Sequence, residues 1–380
     1  VHNQNMSRAK QFVEKILNQA GITINGVKPW DIQVKDERFY DRALAGGSLA
    51  IGEAYMDGWW DAPQLDEFFA RVLSAELDEK IVPTGTLWWE VMRAKIFNYQ
   101  KKSRAFEIGK RHYDIGNDLY QAMLDKRLTY TCGYWKNLEQ KPANLDAAQE
   151  AKLDLVCRKL GLKNGDLVLD IGCGWGSFAK FAAEKYGAKV TGITVSKEQV
   201  ELARELCQGL PVEIKLIDYR EVTGEFDHIV SLGMFEHVGY KNYREYMNVV
   251  SRCLKDSGLF LLHTIGGNQS ATNPDQWIKK YIFPNSMLPS VAQIGKSIEK
   301  LFVVEDWHNF SFYYYPTLIA WFTNFDRAWP KLKEKYGERF YRQWKYYLLA
   351  FAGSFNARKN QLWQIVLSKK GVPGGYEPIR

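Results

Sequence analysis

Between residues 145 and 265, short unbroken apolar runs alternate with stretches whose apolar positions recur every three or four residues. The runs cover Leu167–Ile171, 188–194, 212–217, Phe226–Leu232 and 259–265. With apolar residues on both alternating faces, they predict strands buried on both sides of a sheet. The periodic stretches predict helices over Leu145–Leu160, Ser177–Tyr186 and 243–254, and Ser196 predicts the N-cap of one more. Strands alternating with helices imply a doubly wound, mainly parallel α/β sheet, with ligands beyond the carboxyl ends of its strands. Two further runs, 301–310 and 361–367, bracket two long aromatic helices over 317–335 and 339–357. Upstream, a helix is expected over 7–20 with Phe12, Val13, Ile16 and Leu17 on one side, then a hairpin turning at Asn25-Gly26. A helix over 36–45, ended by Gly46-Gly47, and another over 64–74 complete this region.

The first predicted sheet strand runs into Gly172-Cys173-Gly174-Trp175-Gly176 and then into a helix. Glycines there let a ligand approach the backbone, and the helix N-terminus offers free N–H groups. A dinucleotide fingerprint would be Gly-x-Gly-x-x-Gly with an acidic residue ~20 positions on. Here the spacing is Gly-x-Gly-x-Gly, and Thr191-Gly192-Ile193-Thr194 stands where that carboxylate would be. The turn argues against NAD. It resembles motif I of the class I S-adenosylmethionine-dependent methyltransferases, with Asp170 closing the strand. Asp170, Thr194, Asp218, Glu236 and His263 all fall at or near strand ends.

At 380 residues the chain is long enough for two domains. We divide it into a small, mainly helical accessory domain over 1–85, a basic amphipathic linker over 86–110 and a catalytic domain over 111–380. In the linker, Trp88, Val91, Met92 and Ile96 form an apolar stripe, and seven basic residues between Arg93 and Arg111 are opposed only by Glu107. Such a segment suits a membrane interface, and equally an interdomain helix with a solvated basic face. The net charge of +7 makes anionic lipid headgroups or nucleic acid the candidate partners. The 13 Trp, 21 Tyr and 20 Phe suit a site for a long apolar substrate or a cation, or simply a large aromatic core. The five cysteines form no Cys-x-x-Cys, so no zinc site or disulfide framework is expected, which fits a reducing cytosol. No apolar run approaches the ~18 residues of a membrane span, and no signal-peptide pattern is present.

Five motifs occur in order: His-Tyr-Asp-x-Gly-Asn-Asp from His112, Tyr-Thr-Cys-Gly-Tyr-Trp from Tyr130, Leu-Asp-Ile-Gly-Cys-Gly-Trp-Gly from Leu169, Thr-Val-Ser-Lys-Glu-Gln from Thr194 and Gly-Met-Phe-Glu-His-Val-Gly from Gly233. Together they resemble the bacterial cyclopropane fatty acid synthases, relatives of the mycolic acid cyclopropane synthases. Gly-Glu-Ala-Tyr-Met-Asp-Gly-Trp-Trp from Gly52 extends the resemblance over nearly the whole chain. It implies a class I methyltransferase fold, S-adenosylmethionine as co-substrate and a homodimer. It also implies a cytoplasmic enzyme held peripherally at the inner face of the cell membrane. The implied reaction adds a methylene across the cis double bond of an unsaturated phospholipid acyl chain. The implied cofactor contacts are Tyr130, Thr131, Gly172, Gly174, Thr194, Gln199, Tyr219 and Arg220, with Asp170 and Asp218 beside them. Arg220 has an alternative as a surface ion pair.

A sulfonium methyl is an electrophile, and a cis alkene is a poor nucleophile. Its attack leaves a carbocation, and a base must then take a proton from the new methyl to close the ring. The site therefore needs a dry apolar pocket, aromatic faces, each worth ~0.5–2 kcal/mol to a nearby cation, and a base. Glu236 and His263 are placed to supply or hold that base, or to satisfy each other as a structural pair. The resemblance implies a bound bicarbonate as the base, held by Glu236, His263, Tyr314 and the backbone at Cys132 and Ile265. The sequence leaves open whether the base is bicarbonate or Glu236. Competing readings are another lipid C-methyltransferase without ring closure and a basic RNA-binding methyltransferase. The insertion over 266–297, whose Trp277, Tyr281 and Phe283 are expected to form an apolar roof over the substrate, and the absence of an RNA-binding motif count against the latter, so no nucleic-acid partner is expected.

Overall fold

The computed structural model describes residues 8–80, 116–136, 144–272, 274–284 and 286–380. The 86–110 linker and His112-Tyr113-Asp114 lie outside the described residues. The chain divides into two compact units. The larger comprises Phe97–Thr272, Pro284–Thr317 and Gln361–Arg380. Its sheet is built from β1 (Leu167–Ile171), β2 (Lys189–Thr194), β3 (Val212–Leu216), β4 (Phe226–Leu232), β5 (Leu254–Gly267), β6 (Val303–Asn309) and β7 (Asn360–Ser368). Among the described residues the strand order is β3-β2-β1-β4-β5-β7-β6. The pairs β3–β2, β2–β1, β1–β4 and β4–β5 are parallel, and β7–β6 is antiparallel. This is the mainly parallel doubly wound sheet of a class I methyltransferase.

The apolar runs are buried on both faces, as their lack of alternation demands. Leu169, Ile171, Ile229, Phe260 and Leu262 join the core on one side, while Val168, Val230, Leu261 and Val366 join the core on the other. β1 lies between β2 and β4, with Asp170 opposite Gly192 and Val230. The helix Leu145–Leu160 starts where the Asn144 side chain accepts from the Ala147 N–H and stops at Gly161, whose φ is 64°. The fifth strand is longer than its apolar run, because Leu254 already pairs with Phe226 before a register shift at Phe226/His228.

The smaller unit comprises Val1–Ile96, Asn273–Phe283 and Leu318–Asn360. Its described helices include Arg8–Asn18, Arg38–Met56, Leu65–Ser74, Gln276–Tyr281 and Glu338–Asn356. Trp60 and Tyr55 meet edge-on at 5.0 Å, and Tyr346 packs against Tyr55, Trp60, Phe69 and Trp277. Arg342 donates to the carbonyls of Tyr55 and Trp60 and to Asp61.

Three expectations fail here. Asn25-Gly26 does not turn a hairpin. The Asp31 carboxylate accepts from the Thr23 and Lys28 N–H groups and the Asn25 side chain accepts from Val34 N–H, so a side-chain-tied loop replaces the ladder. Gly46-Gly47 does not end its helix, which runs from Arg38 to Met56 with a kink at Gly47 (φ 53°, ψ −139°). Trp277 and Tyr281, assigned to an apolar roof over the substrate, instead belong to this smaller unit. Trp277 is buried with its indole N–H directed at the Met56 sulfur, and the Tyr281 hydroxyl donates to Glu53.

Candidate active site

Beyond the carboxyl end of β1 the chain turns through Gly172, Gly174 and Gly176, with φ of 84°, 54° and 80°. A Cβ on Gly172 would stand 2.6 Å from the Cβ of Met234, so a side chain is excluded by conformation and by space together. A pocket forms over this turn. Tyr130, Thr131, Asp170, Gly172, Gly174 and Gln199 line it, so six of the ten expected cofactor residues meet in one place. Thr194 joins through its hydroxyl, which donates to Gln199 Oε1 at 2.7 Å. Ser196 caps the Gln199 helix by accepting from the Gln199 N–H.

Asp218, Tyr219 and Arg220 are not among these lining residues; they lie on and just before a single helical turn (Tyr219–Glu221) after β3. Arg220 is held by Asp218 at 3.0 Å and Glu245 at 3.2 Å, and its guanidinium lies 4.6 Å from the Tyr219 ring centre. The ion-pair alternative describes these contacts.

Asp170 is buried and its Oδ2 has no hydrogen-bond partner. Burial pushes its carboxyl up to about 7, opposed by the cation of Lys152. An orphaned carboxylate oxygen above a glycine floor fits a cofactor that carries positive charge. Two residues of this wall were missed in the sequence. Lys152 Nζ donates to Thr131 Oγ1 at 2.7 Å, and Gln149 Nε2 donates to the Thr131 carbonyl at 2.7 Å. Their signal was present: both fall on the buried face of Leu145–Leu160, where a polar residue needs a partner.

A second polar group follows β4. Glu236 sits on the one-turn helix Phe235–His237, and His263 lies in β5 opposite Leu232. The Ile265 N–H donates to Glu236 Oε1 at 2.6 Å, while Glu236 Oε2 is buried without a partner. Burial pushes the Glu236 carboxyl up to about 7. His263 Nδ1 faces Gln364 Nε2 at 3.3 Å, and His263 Nε2 has no partner. Burial first, then the charges of Lys152 and Lys159, keep this imidazole neutral well below its usual range. Glu236 and His263 each keep an unpartnered polar atom, so neither is satisfied by the other. Gln364 is a further residue that sequence reasoning missed.

An aromatic cluster reaches His263 through Phe310. Phe310 meets it edge-on at 5.7 Å, stacks on Tyr134 at 5.2 Å and touches Tyr313 at 5.0 Å. Tyr314 is buried and opens the helix Tyr314–Tyr336. Thr317, one turn later, accepts from the Gly133 N–H at 3.1 Å and from the Trp135 indole at 2.9 Å. That bond set ties the Cys132–Trp135 segment to the start of the Tyr314 helix. The Cys132 thiol is fully buried beside Thr317, and burial raises its pKa far above the ordinary range. It is therefore no thiolate nucleophile.

Comparison with known proteins agrees with this geometry. The family model described as mycolic acid cyclopropane synthetase matches residues 100–365. The cyclopropane-fatty-acyl-phospholipid synthase of Escherichia coli K12 is 51% identical over 370 residues, 97% of this chain and 96% of that protein. The structure of the cyclopropane synthase MmaA2 from Mycobacterium tuberculosis superposes with a TM-score of 0.65 at 28% identity, over 70% of this chain and 98% of that one. The mycolic acid cyclopropane synthase CmaA1, complexed with SAH and CTAB, gives a TM-score of 0.65 at 29% identity, over 70% of this chain and 98% of the other.

Proposed function

This chain belongs to the mycolic acid cyclopropane synthetase family, and from that premise we propose that it is an S-adenosylmethionine-dependent cyclopropane synthase acting on unsaturated phospholipid acyl chains. The observation that carries the reading is the pairing of two sites in one unit. A glycine-floored pocket with a buried carboxylate suits the cofactor. A dry, aromatic-walled group holding Glu236 and His263 suits a cationic reaction with proton removal.

When bound, S-adenosylmethionine supplies the electrophilic sulfonium methyl. Tyr130, Thr131, Gly172, Gly174, Thr194 and Gln199 hold it, and Asp170 answers its positive charge. The stacked pair Phe310 and Tyr134 would supply the aromatic wall that tolerates the carbocation left on the acyl chain. Asp218, Tyr219 and Arg220 complete the cofactor end of the site.

Ring closure needs a base at Glu236. Bicarbonate would be held by Glu236, His263, Tyr314 and the backbone at Cys132 and Ile265, and would supply that base. The Ile265 N–H already donates to Glu236 Oε1, which places this backbone beside the carboxylate that would orient the bicarbonate. Glu236 itself is the second reading. A carboxyl poised at about 7 with one free oxygen has the affinity for a proton that a general base requires.

Among the described residues no helix is long and apolar enough to cross a membrane. The net charge of +7 supports peripheral attachment to an anionic bilayer from the cytoplasmic side. Membrane docking and homodimer formation are assigned to residues 1–85 with the 86–110 linker, and catalysis to 111–380. The test is expression in cells rich in unsaturated phospholipids, followed by lipid mass spectrometry. Acyl chains should gain one CH2 and lose the alkene. A gained methyl branch without a ring would favour plain C-methylation, and unchanged lipids would defeat the proposal.

A further inference from the structure

We propose that Lys152 is a positioning residue for the cofactor: it makes Thr131 a hydrogen-bond donor to the carboxylate at the methionine end of S-adenosylmethionine. This rests on the cofactor reading above and adds a residue and a recognised group to it.

Lys152 lies in the middle of the helix Leu145–Leu160 and is completely buried. Its ammonium donates to Thr131 Oγ1 at 2.7 Å. A hydroxyl has one proton, and an oxygen that accepts from an ammonium must point that proton elsewhere. Lys152, Thr131 and Asp170 line the same pocket. The Thr131 O–H is thus held as a donor on the wall of that pocket, with a buried positive charge behind it.

The charge inventory specifies the ligand end. The pocket has one buried ammonium, Lys152, and one buried carboxylate with an unpartnered oxygen, Asp170. An amino-acid group carries the complementary pair, one carboxylate and one ammonium. Its carboxylate belongs on the Thr131–Lys152 side and its ammonium on the Asp170 side. Burial lowers Lys152 to about 8, so it keeps its proton at neutral pH. Asp125, the other carboxylate acting on Lys152, already accepts from the N–H groups of Arg127 and Thr129. A merely structural role, neutralising Asp125, would make Lys152 indifferent to what the ligand carries.

The experiment is calorimetric titration of the full chain with S-adenosylmethionine and with decarboxylated S-adenosylmethionine at fixed pH and salt. Wild type should bind the carboxylate-bearing form at least about tenfold more tightly, the range of a hydrogen bond to a charged group. In folded Lys152→Met, that preference should shrink to within about twofold. Thr131→Val should shrink it as well, and Lys152→Arg should restore part of it. If Lys152→Met does not fold, the wild-type ratio and Thr131→Val decide. Equal wild-type affinity for the two compounds overturns the inference, as does a folded Lys152→Met with the wild-type ratio. Wild type that binds neither compound overturns the cofactor reading and the inference with it.

Discussion

A buried carboxyl that holds its proton near neutrality makes stability depend on pH in one direction. The Glu236 carboxyl is raised from 4.5 to about 7 by burial, so the folded state binds the proton more tightly than the unfolded one. Its contribution is complete below the unfolded value and is lost as pH rises through about 7. That difference is on the order of 3 kcal/mol. Chemical unfolding of the ligand-free protein between pH 5 and 8 should therefore show wild type losing stability relative to Glu236→Gln as pH rises, a difference that isolates this carboxyl from the buried histidines, whose lowered values act in the opposite sense. The same variant separates the two candidate bases. If bicarbonate is the base, removing dissolved carbonate slows wild type, and Glu236→Gln keeps slow, less carbonate-sensitive turnover with cofactor affinity intact. A carbonate-indifferent wild type and an inactive Glu236→Gln would make Glu236 the base. Asp170, Glu236 and His263 were legible because each interrupts or closes an apolar run at a strand end. Lys152 and Gln364 were not recognised, because they sit inside regular elements and only the facing chain reveals what they hold.

At the level of elements, the parallel sheet was readable because its strands are buried on both sides, which writes an uninterrupted apolar run into the sequence. The first smaller-unit helix was readable in part. Val13, Ile16 and Leu17 are buried as expected, while Phe12 is 48% exposed. The N-terminal loop was misread because an Asx-type tie from Asp31 outweighs local turn propensity, and that tie spans eight residues from Thr23. Gly46-Gly47 misled for a different reason. Glycine permits a break without requiring one, and packing carries the helix through the kink. Gly52 in that helix is the more consequential glycine, since a Cβ there would lie 2.3 Å from the Trp277 ring. Overpacking of this kind costs roughly 1–3 kcal/mol. Gly52→Val should lower the denaturant midpoint accordingly, while a valine at exposed Val27 replaced by threonine should leave it unchanged.

For the molecule as a whole, the net charge of +7 predicts electrostatic attraction to anionic vesicles. Co-sedimentation with such vesicles should weaken when salt is raised, and neutral vesicles should capture less protein at any salt. Salt-independent capture would point to apolar insertion instead. The smaller unit bears on how its contribution can be tested. Its core is assembled from three separated stretches, and Gly353 lets the helix Glu338–Asn356 come so near Leu65–Ser74 that a Cβ would lie 2.5 Å from the Asp66 carbonyl. Removing the first hundred residues would therefore strip a packing face from Glu338–Asn356. The same arrangement orders events during synthesis. Trp60 and Phe68 leave the ribosome early, but Tyr346, which packs on Trp60, is translated hundreds of residues later. Trp60 and Phe68 are thus made long before the residue that closes over them, and until Tyr346 has been translated their rings must be kept from other chains.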